Sequence, residues 1–380
     1  MSRGSQSLSV LVVAGTRPEI IKLVPVVQAL ANAGSMRVRF CHSGQHEELG
    51  QGVLDAAGIV PDERLMRPVA PDIGALVAGL TTSIGAALDR QRPRAVVVQG
   101  DTATALAGAM AAFHRQIPVA HVEAGLRSGH IGRPWPEEGY RRMVSRIAHW
   151  HFAPTRAAAQ ALVAEGIDEP FVDHVGNTVI DALYWALGRI DADDTLGADI
   201  APLLARAGKR PIVLATVHRR ELAEGDLRAI AEGLRALVAR EKVELVMPLH
   251  PRAENEVLRD LLGRVPRIHV VEPLGYFAFL RLMRASRLIV SDSGGVQEEA
   301  TALGRSLLVL RSETERPEAV MTGTARLVGA DPALLLDEAQ AALARPAPGP
   351  SHVFGDGQAA ERIASRLARD LLAREMALTA

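Results

Sequence analysis

The chain has 380 residues, 48% hydrophobic and 23% charged, with a net charge of −1. That length exceeds one ordinary core and points to two domains, while the near-neutral balance supplies no field toward nucleic acid or an anionic membrane. The single cysteine, Cys41, excludes an internal disulfide and a cysteine-based metal site.

The opening stretch MSRGSQSLSVLVVAG is too short in apolar residues to span a membrane. Its end at Gly15-Thr16-Arg17-Pro18 suits a strand-to-helix turn better than signal cleavage, so a cytoplasmic protein is expected. VRFCHSG, AVVVQGD and PVAHVEAG follow as short β-branched runs, alternating with helical patterns such as RPEIIKLVPVVQALANAG and TATALAGAMAAFHRQ. PWPEEGYRR, at 134–142, sets two carboxylates before two arginines. That is either the first turn of a solvated helix or a place where one acid holds a proton for chemistry.

A helix near 178–190 and an acidic, glycine-containing stretch then lead to a second series: IVLATVHRR, VELVMPLHP, IHVVEPLG, LIVSDSGG and SLLVLRS. Continuous apolar strands separated by helices predict parallel sheets covered on both faces, and two series predict two doubly wound α/β domains. The expected division is a Rossmann-like domain over 1–180 and a second over 181–356. A C-terminal helix over 357–380 is expected to pack back on the first domain.

Open α/β sheets bind ligands beyond the carboxyl ends of their strands, so the polar residues just after each run are the candidates. In the first series these are Arg17, Asp101 and Glu123; in the second they are His218, His250 and Ser293-Gly294-Gly295. SDSGGVQEEA reads as a phosphate-accepting turn, its free N–H groups and helix dipole turned to the ligand, with the helix beginning at Val296. It reads equally as a tight turn capped by Ser293. Neither a Walker A loop nor a GxGxxG stands there, so ATP and NAD lack support. Glu299 suits ribose hydroxyls or plain dipole stabilisation, and Arg316 suits a phosphate or a neighbouring acid. Asp101 reads as a helix N-cap or, with Glu123 and Glu137, as one of three clustered carboxylates able to divide acid and base roles. His218, followed by two arginines, suits a departing diphosphate. His42 and His46 lack the acid that would complete a metal motif.

Taken in order, GTRPEIIKLVPVV, SGQHEEL, VQGDTATALAGAMAAF, PVAHVEAGLRSG, PWPEE, GNTVIDAL, TVHRRE, DSGGVQEEA and TERPEAV resemble the motifs of the non-hydrolysing UDP-N-acetylglucosamine 2-epimerases. The resemblance implies two doubly wound Rossmann-like domains facing a central cleft in the glycosyltransferase-B manner, the first carrying the acid/base groups and the second UDP. It also implies a homodimer, a UDP-sugar as the only partner, no metal and no cofactor. The implied reaction removes the C2 proton as UDP leaves C1, then returns both with C2 inverted. Carried over by position, Asp101, Glu123, Glu137 and His218 are catalytic. Arg17, Lys22, Phe279, Ser293, Gly294, Gly295, Glu299 and Arg316 contact the nucleotide sugar, with Arg17 and His218 at the diphosphate, Phe279 at the uracil end and Glu299 at the ribose. Gln45 and His46 belong to a motif that in bacterial members helps to form a second, activating UDP-GlcNAc site. Tyr140, Leu222 and Arg252 stand where the family usually has asparagine. A hydrolysing relative, a glycosyltransferase and a UDP-sugar-binding homologue without turnover are the alternatives.

Overall fold

The computed structural model describes residues 8–45, 50–217, 222–249 and 256–379. They form two compact units, one of residues 1–182 with 355–380 and one of residues 183–354.

The first unit begins with β1 (Ser9–Ala14), α1 (Arg17–Asn32), β2 (Arg37–His42), α2 (Gln51–Ala57) and β3 (Glu63–Arg64). It continues with α3 (Ile73–Gln91), β4 (Ala95–Gln99), α4 (Ala103–Phe113), β5 (Val119–Val122), α5 (Glu137–Ile147) and β6 (Trp150–Ala153). Next come α6 (Arg156–Ala164), β7 (Val172–His174) and α7 (Thr178–Ala192), within which the chain passes to the second unit. The sheet is parallel throughout, in the order β3-β2-β1-β4-β5-β6-β7.

The second unit adds α8 (Ala201–Ala207), β8 (Ile212–Thr216), α9 (Glu224–Arg240), β9 (Glu244–Pro248), α10 (Glu256–Leu262) and β10 (Ile268–Val271). It ends with α11 (Tyr276–Ala285), β11 (Ser286–Ser291), α12 (Gly294–Ala302), β12 (Ser306–Val309), α13 (Pro317–Met321), β13 (Ala325–Leu327) and α14 (Pro332–Ala344). Its parallel sheet runs β10-β9-β8-β11-β12-β13. The doubly wound α/β class expected from the alternating runs is therefore the observed one. β3, β7 and β13 span two or three residues, too few to mark a run of their own.

Burial explains the apolar runs. Val10 to Ala14 and Val96 to Val98 are fully enclosed because helices cover both faces of the sheet. In the second unit Val213, Leu245, Leu288 and Val290 pack with Ile230 and Leu234 of α9 and Leu335 of α14. The strand order reverses at β1/β4 in one sheet and at β8/β11 in the other, which opens a crevice at the carboxyl ends of those strands.

The final helix, α15 (Ala359–Thr379), belongs to the first unit and packs on α1. Ile363 and Leu367 are fully buried, the Trp150 indole donates to Asp370 at 2.9 Å, and Asp181 accepts the Ala360 N–H at 2.8 Å. Among the described residues no helix is long and apolar enough to cross a membrane.

Candidate active site

The loop after β1 is built by its own residues. Thr16 is the N-cap of α1 and forms a capping box with Glu19, while Pro18 sits in the first turn, where no N–H is missed. Glu19 is fully buried, and its Oε2 accepts the Gly15 and Thr16 N–H groups at 3.1 and 2.7 Å. Its Oε1 accepts the Thr102 hydroxyl at 2.6 Å, which ties the turn after β1 to the turn after β4. Burial pushes the Glu19 carboxyl up to about 6, against the pull of these donors. Arg17 opens α1 directly after this clip and is half-buried.

Asp101 follows β4 through Gly100, whose φ of +71° favours glycine. His121 of β5 holds that turn: its Nε2 lies 2.8 Å from the Gly100 carbonyl. Burial drives the imidazole down to about 4, so the neutral ring donates N–H to that oxygen. Asp101 is not the cap of α4; Thr102 is, its hydroxyl accepting the Ala105 N–H at 3.0 Å. Asp101 Oδ2 instead receives both Nε (3.1 Å) and a terminal nitrogen of Arg141.

Glu123 follows β5 at φ +62°, a left-handed backbone that costs a non-glycine residue about 1–2 kcal/mol. Lys22 reaches it from α1 with Nζ 2.6 and 2.7 Å from the two oxygens. The Gln99 amide donates to Oε2 and Asn177 donates to Oε1 at 3.0 Å. The pair is nearly sealed from solvent, Lys22 at 9% and Glu123 at 8% exposure. Such desolvated charges persist only when this fully partnered.

PWPEEGYRR resolves into an amphipathic helix with divided duties. Glu137 opens α5 half-buried, whereas Glu138 is completely enclosed. Glu138 accepts from the Ser128 N–H and Arg141 at 3.1 Å each and from Arg142 at 2.8 Å. Glu137 lies one helical turn before Arg141, which puts it on the same face as the guanidinium that grips Asp101. Tyr140 is 8% exposed in the core with Leu80, Ile84 and Val144, so it is a packing residue. Burial, then the Glu137 charge, raises its phenol.

In the second unit, Ser293 occupies the cap position of α12 without a side-chain capping bond, and the helix starts at Gly294 instead of Val296. Gly294 is where the Arg316 side chain comes close to the helix. A Cβ there would lie 2.5 Å from the Arg316 guanidinium, which rests against the helix start. Around Gly295 the space is open. Arg316 is held by Glu298, with Nε 2.6 Å from Oε1, and by Glu315 at 3.7 Å. Burial pushes the Glu315 carboxyl up, but the Arg311 hydrogen bond and the Arg311 and Arg316 cations outweigh it and hold the group down to about 2. Arg316 thus has its acids and still stands at a helix N-terminus, an arrangement suited to an anion. Glu299 is 6% exposed and accepts the Tyr276 hydroxyl at 3.3 Å, which brings α11 with its half-buried Phe279 onto α12.

Gln45 faces inward. Its Oε1 accepts the Thr104 hydroxyl at 2.7 Å, and Thr104 in turn lies 2.7 Å from Ser43. His46, His218, His250 and Arg252 lie outside the described residues. Leu222 packs partly buried against the second core. Motif reading did not single out Glu19, Gln99, Asn177 or Arg141. The capping pattern Thr16-x-x-Glu19 was the one available signal, since partners distant in sequence leave no local pattern.

Residues 28–368 match the family model for UDP-N-acetylglucosamine 2-epimerase. The chain belongs to the UDP-N-acetylglucosamine 2-epimerase family. It is 40% identical over 375 residues to the UDP-N-acetylglucosamine 2-epimerase of Salmonella typhimurium, covering 95% of this chain and 98% of that one. It is similar in structure to the family's Neisseria meningitidis member bound to UDP-GlcNAc, with a TM-score of 0.88 and 35% identity over 95% of this chain and all of that one. The Methanocaldococcus jannaschii member in complex with UDP-GlcNAc and UDP gives 0.85 and 33% over the same shares. A Rickettsia africae glycosyltransferase shares the fold at a TM-score of 0.57 and 12% identity, covering 97% of this chain and 94% of that one, so the fold is glycosyltransferase-B-like.

Proposed function

We propose that this protein is a UDP-N-acetylglucosamine 2-epimerase that converts UDP-GlcNAc to UDP-ManNAc by reversible loss of UDP. The observation that carries the reading is the carboxylate arrangement at the carboxyl edge of the first sheet, in a chain 40% identical to the Salmonella typhimurium epimerase. There Asp101 leaves β4, Glu123 leaves β5, and Glu137 shares a helix face with the arginine bound to Asp101.

A carboxylate takes the proton from C2. The C–H electron pair becomes the C1=C2 double bond, and the C1–O pair departs with UDP, giving 2-acetamidoglucal. In the return, a UDP oxygen attacks C1 and a carboxylic acid delivers a proton to the opposite face of C2. Acid/base groups must serve both faces of the sugar, which is the work assigned to Asp101, Glu123 and Glu137. Arg17 and Lys22 provide cationic charge beside them. The second unit retains UDP through the interval: Arg316, the α12 N–H groups and the open space at Gly295 take the diphosphate, Glu299 the ribose and Phe279 the uracil. His218 assists the departing diphosphate.

The test is to incubate the protein with UDP-GlcNAc in deuterated water and follow it by NMR. UDP-ManNAc should appear with deuterium at C2 of both sugars. Accumulation of free ManNAc with an equal amount of UDP would overturn the reversible reading in favour of hydrolysis. Deuterium-free sugar would remove proton abstraction at C2.

A further inference from the structure

Arg141 has an unusual position for a side chain on α5. Its guanidinium is shared between a carboxylate with no solvent exposure, Glu138, and a partly exposed one, Asp101, whose side chain is 28% accessible. Toward Glu138 it gives one nitrogen at 3.1 Å, and toward Asp101 it gives Nε and the other terminal nitrogen, both to Oδ2. Glu138 cannot move, because Arg142 and the Ser128 N–H hold it from two other sides. The planar fork of an arginine converts that fixed anchor into a fixed direction. Among the described residues, all hydrogen bonds to Asp101 fall on Oδ2, so Oδ1 is the oxygen left toward solvent.

We propose that Arg141 is a positioning residue. Braced by Glu138, it clamps Oδ2 of Asp101 so that Oδ1 alone exchanges the C2 proton. The proposal rests on the epimerase reading and on Asp101 being one of its acid/base groups. A proton transfer to a carboxylate that can rotate loses the aligned geometry on which intramolecular rates depend, so the loss falls on kcat and not on substrate affinity.

The experiment compares Arg141→Ala, Arg141→Lys, Asp101→Asn and the double variant Asp101→Asn/Arg141→Ala in the full chain. It measures kcat, KM and C2 deuterium exchange, with melting curves alongside. Arg141→Ala should lower kcat and exchange by about 100-fold with KM little changed, and guanidinium chloride well below denaturing concentration should restore about a tenth or more of the loss. Arg141→Lys keeps the charge and the fold without the fork and should recover only part of the rate. In the Asp101→Asn background, loss of Arg141 should add little, because the two act as one unit. Multiplying losses in the double variant, a risen KM at unchanged kcat, or full activity in Arg141→Lys would overturn the positioning role while leaving the epimerase reading intact. Undiminished exchange in Asp101→Asn would take Asp101 out of the reaction and the proposal with it. A wild-type protein without conversion would instead fail the activity itself.

Discussion

Glu19 is a single carboxylate whose burial has a measurable cost. Its carboxyl sits near 4.5 in the unfolded chain and about 6 in the folded one, so the native state holds more protons between those values. Stability contributed by this group is therefore greatest below about pH 4.5 and falls as pH rises to about 6, by about 2 kcal/mol in all. Glu19→Gln should remove that component of the pH dependence; denaturant melts of both proteins from pH 4 to 8 check it, and parallel curves would contradict it. Gly15 sets a tighter limit. A Cβ there would meet the Ser43 hydroxyl at 1.8 Å and the Thr104 hydroxyl at 2.4 Å. Gly15→Ala should break the Ser43–Thr104–Gln45 chain and cost about 1–3 kcal/mol, read as a lowered Tm.

At the scale of the element, α5 shows why its role is hard to read from sequence. Its charges look like a solvated helix, and only the tertiary partners of Glu138 and Arg141 reveal which face is enclosed. Tyr140 demonstrates the same point in reverse. A departure from the family pattern invites a substrate explanation, yet the ring fills the space among Leu80, Ile84 and Val144. Tyr140→Asn should lower stability by about 3 kcal/mol through lost packing and a buried amide, without raising activity on UDP-GlcNAc. At α12 a strand-to-helix turn was legible, with its helix expected from Val296 and found from Gly294, but the arginine pressed on Gly294 was not, since Arg316 lies far along the chain. Gly294→Ala should displace that guanidinium and raise KM several-fold with a smaller change in kcat, as loss of uniform binding requires.

At the scale of the whole molecule, the alternation of apolar runs and helical patterns was sufficient for the two parallel sheets. Among the described candidates, Arg17, Asp101 and Ser293 follow β1, β4 and β11, strands that flank the points where strand order reverses. What no run announces is how closely the last helix is tied into the first unit. Leu367 is fully enclosed and Arg366 bonds Asp173 at 3.0 Å. Leu367→Ala should destabilise that unit by about 2–5 kcal/mol. Calorimetry should show the change in the first unit's transition, whereas UDP should raise the second unit's; a shift of the opposite unit would contradict the assignment.

The return of residues 355–380 also imposes an order on synthesis. The segment that opens the chain cannot complete its core until α15 has left the ribosome, and by then all of the second unit is already outside. The earliest-made strands are thus the last to be finished. The face of α1 that α15 packs against stays uncovered until that last helix arrives.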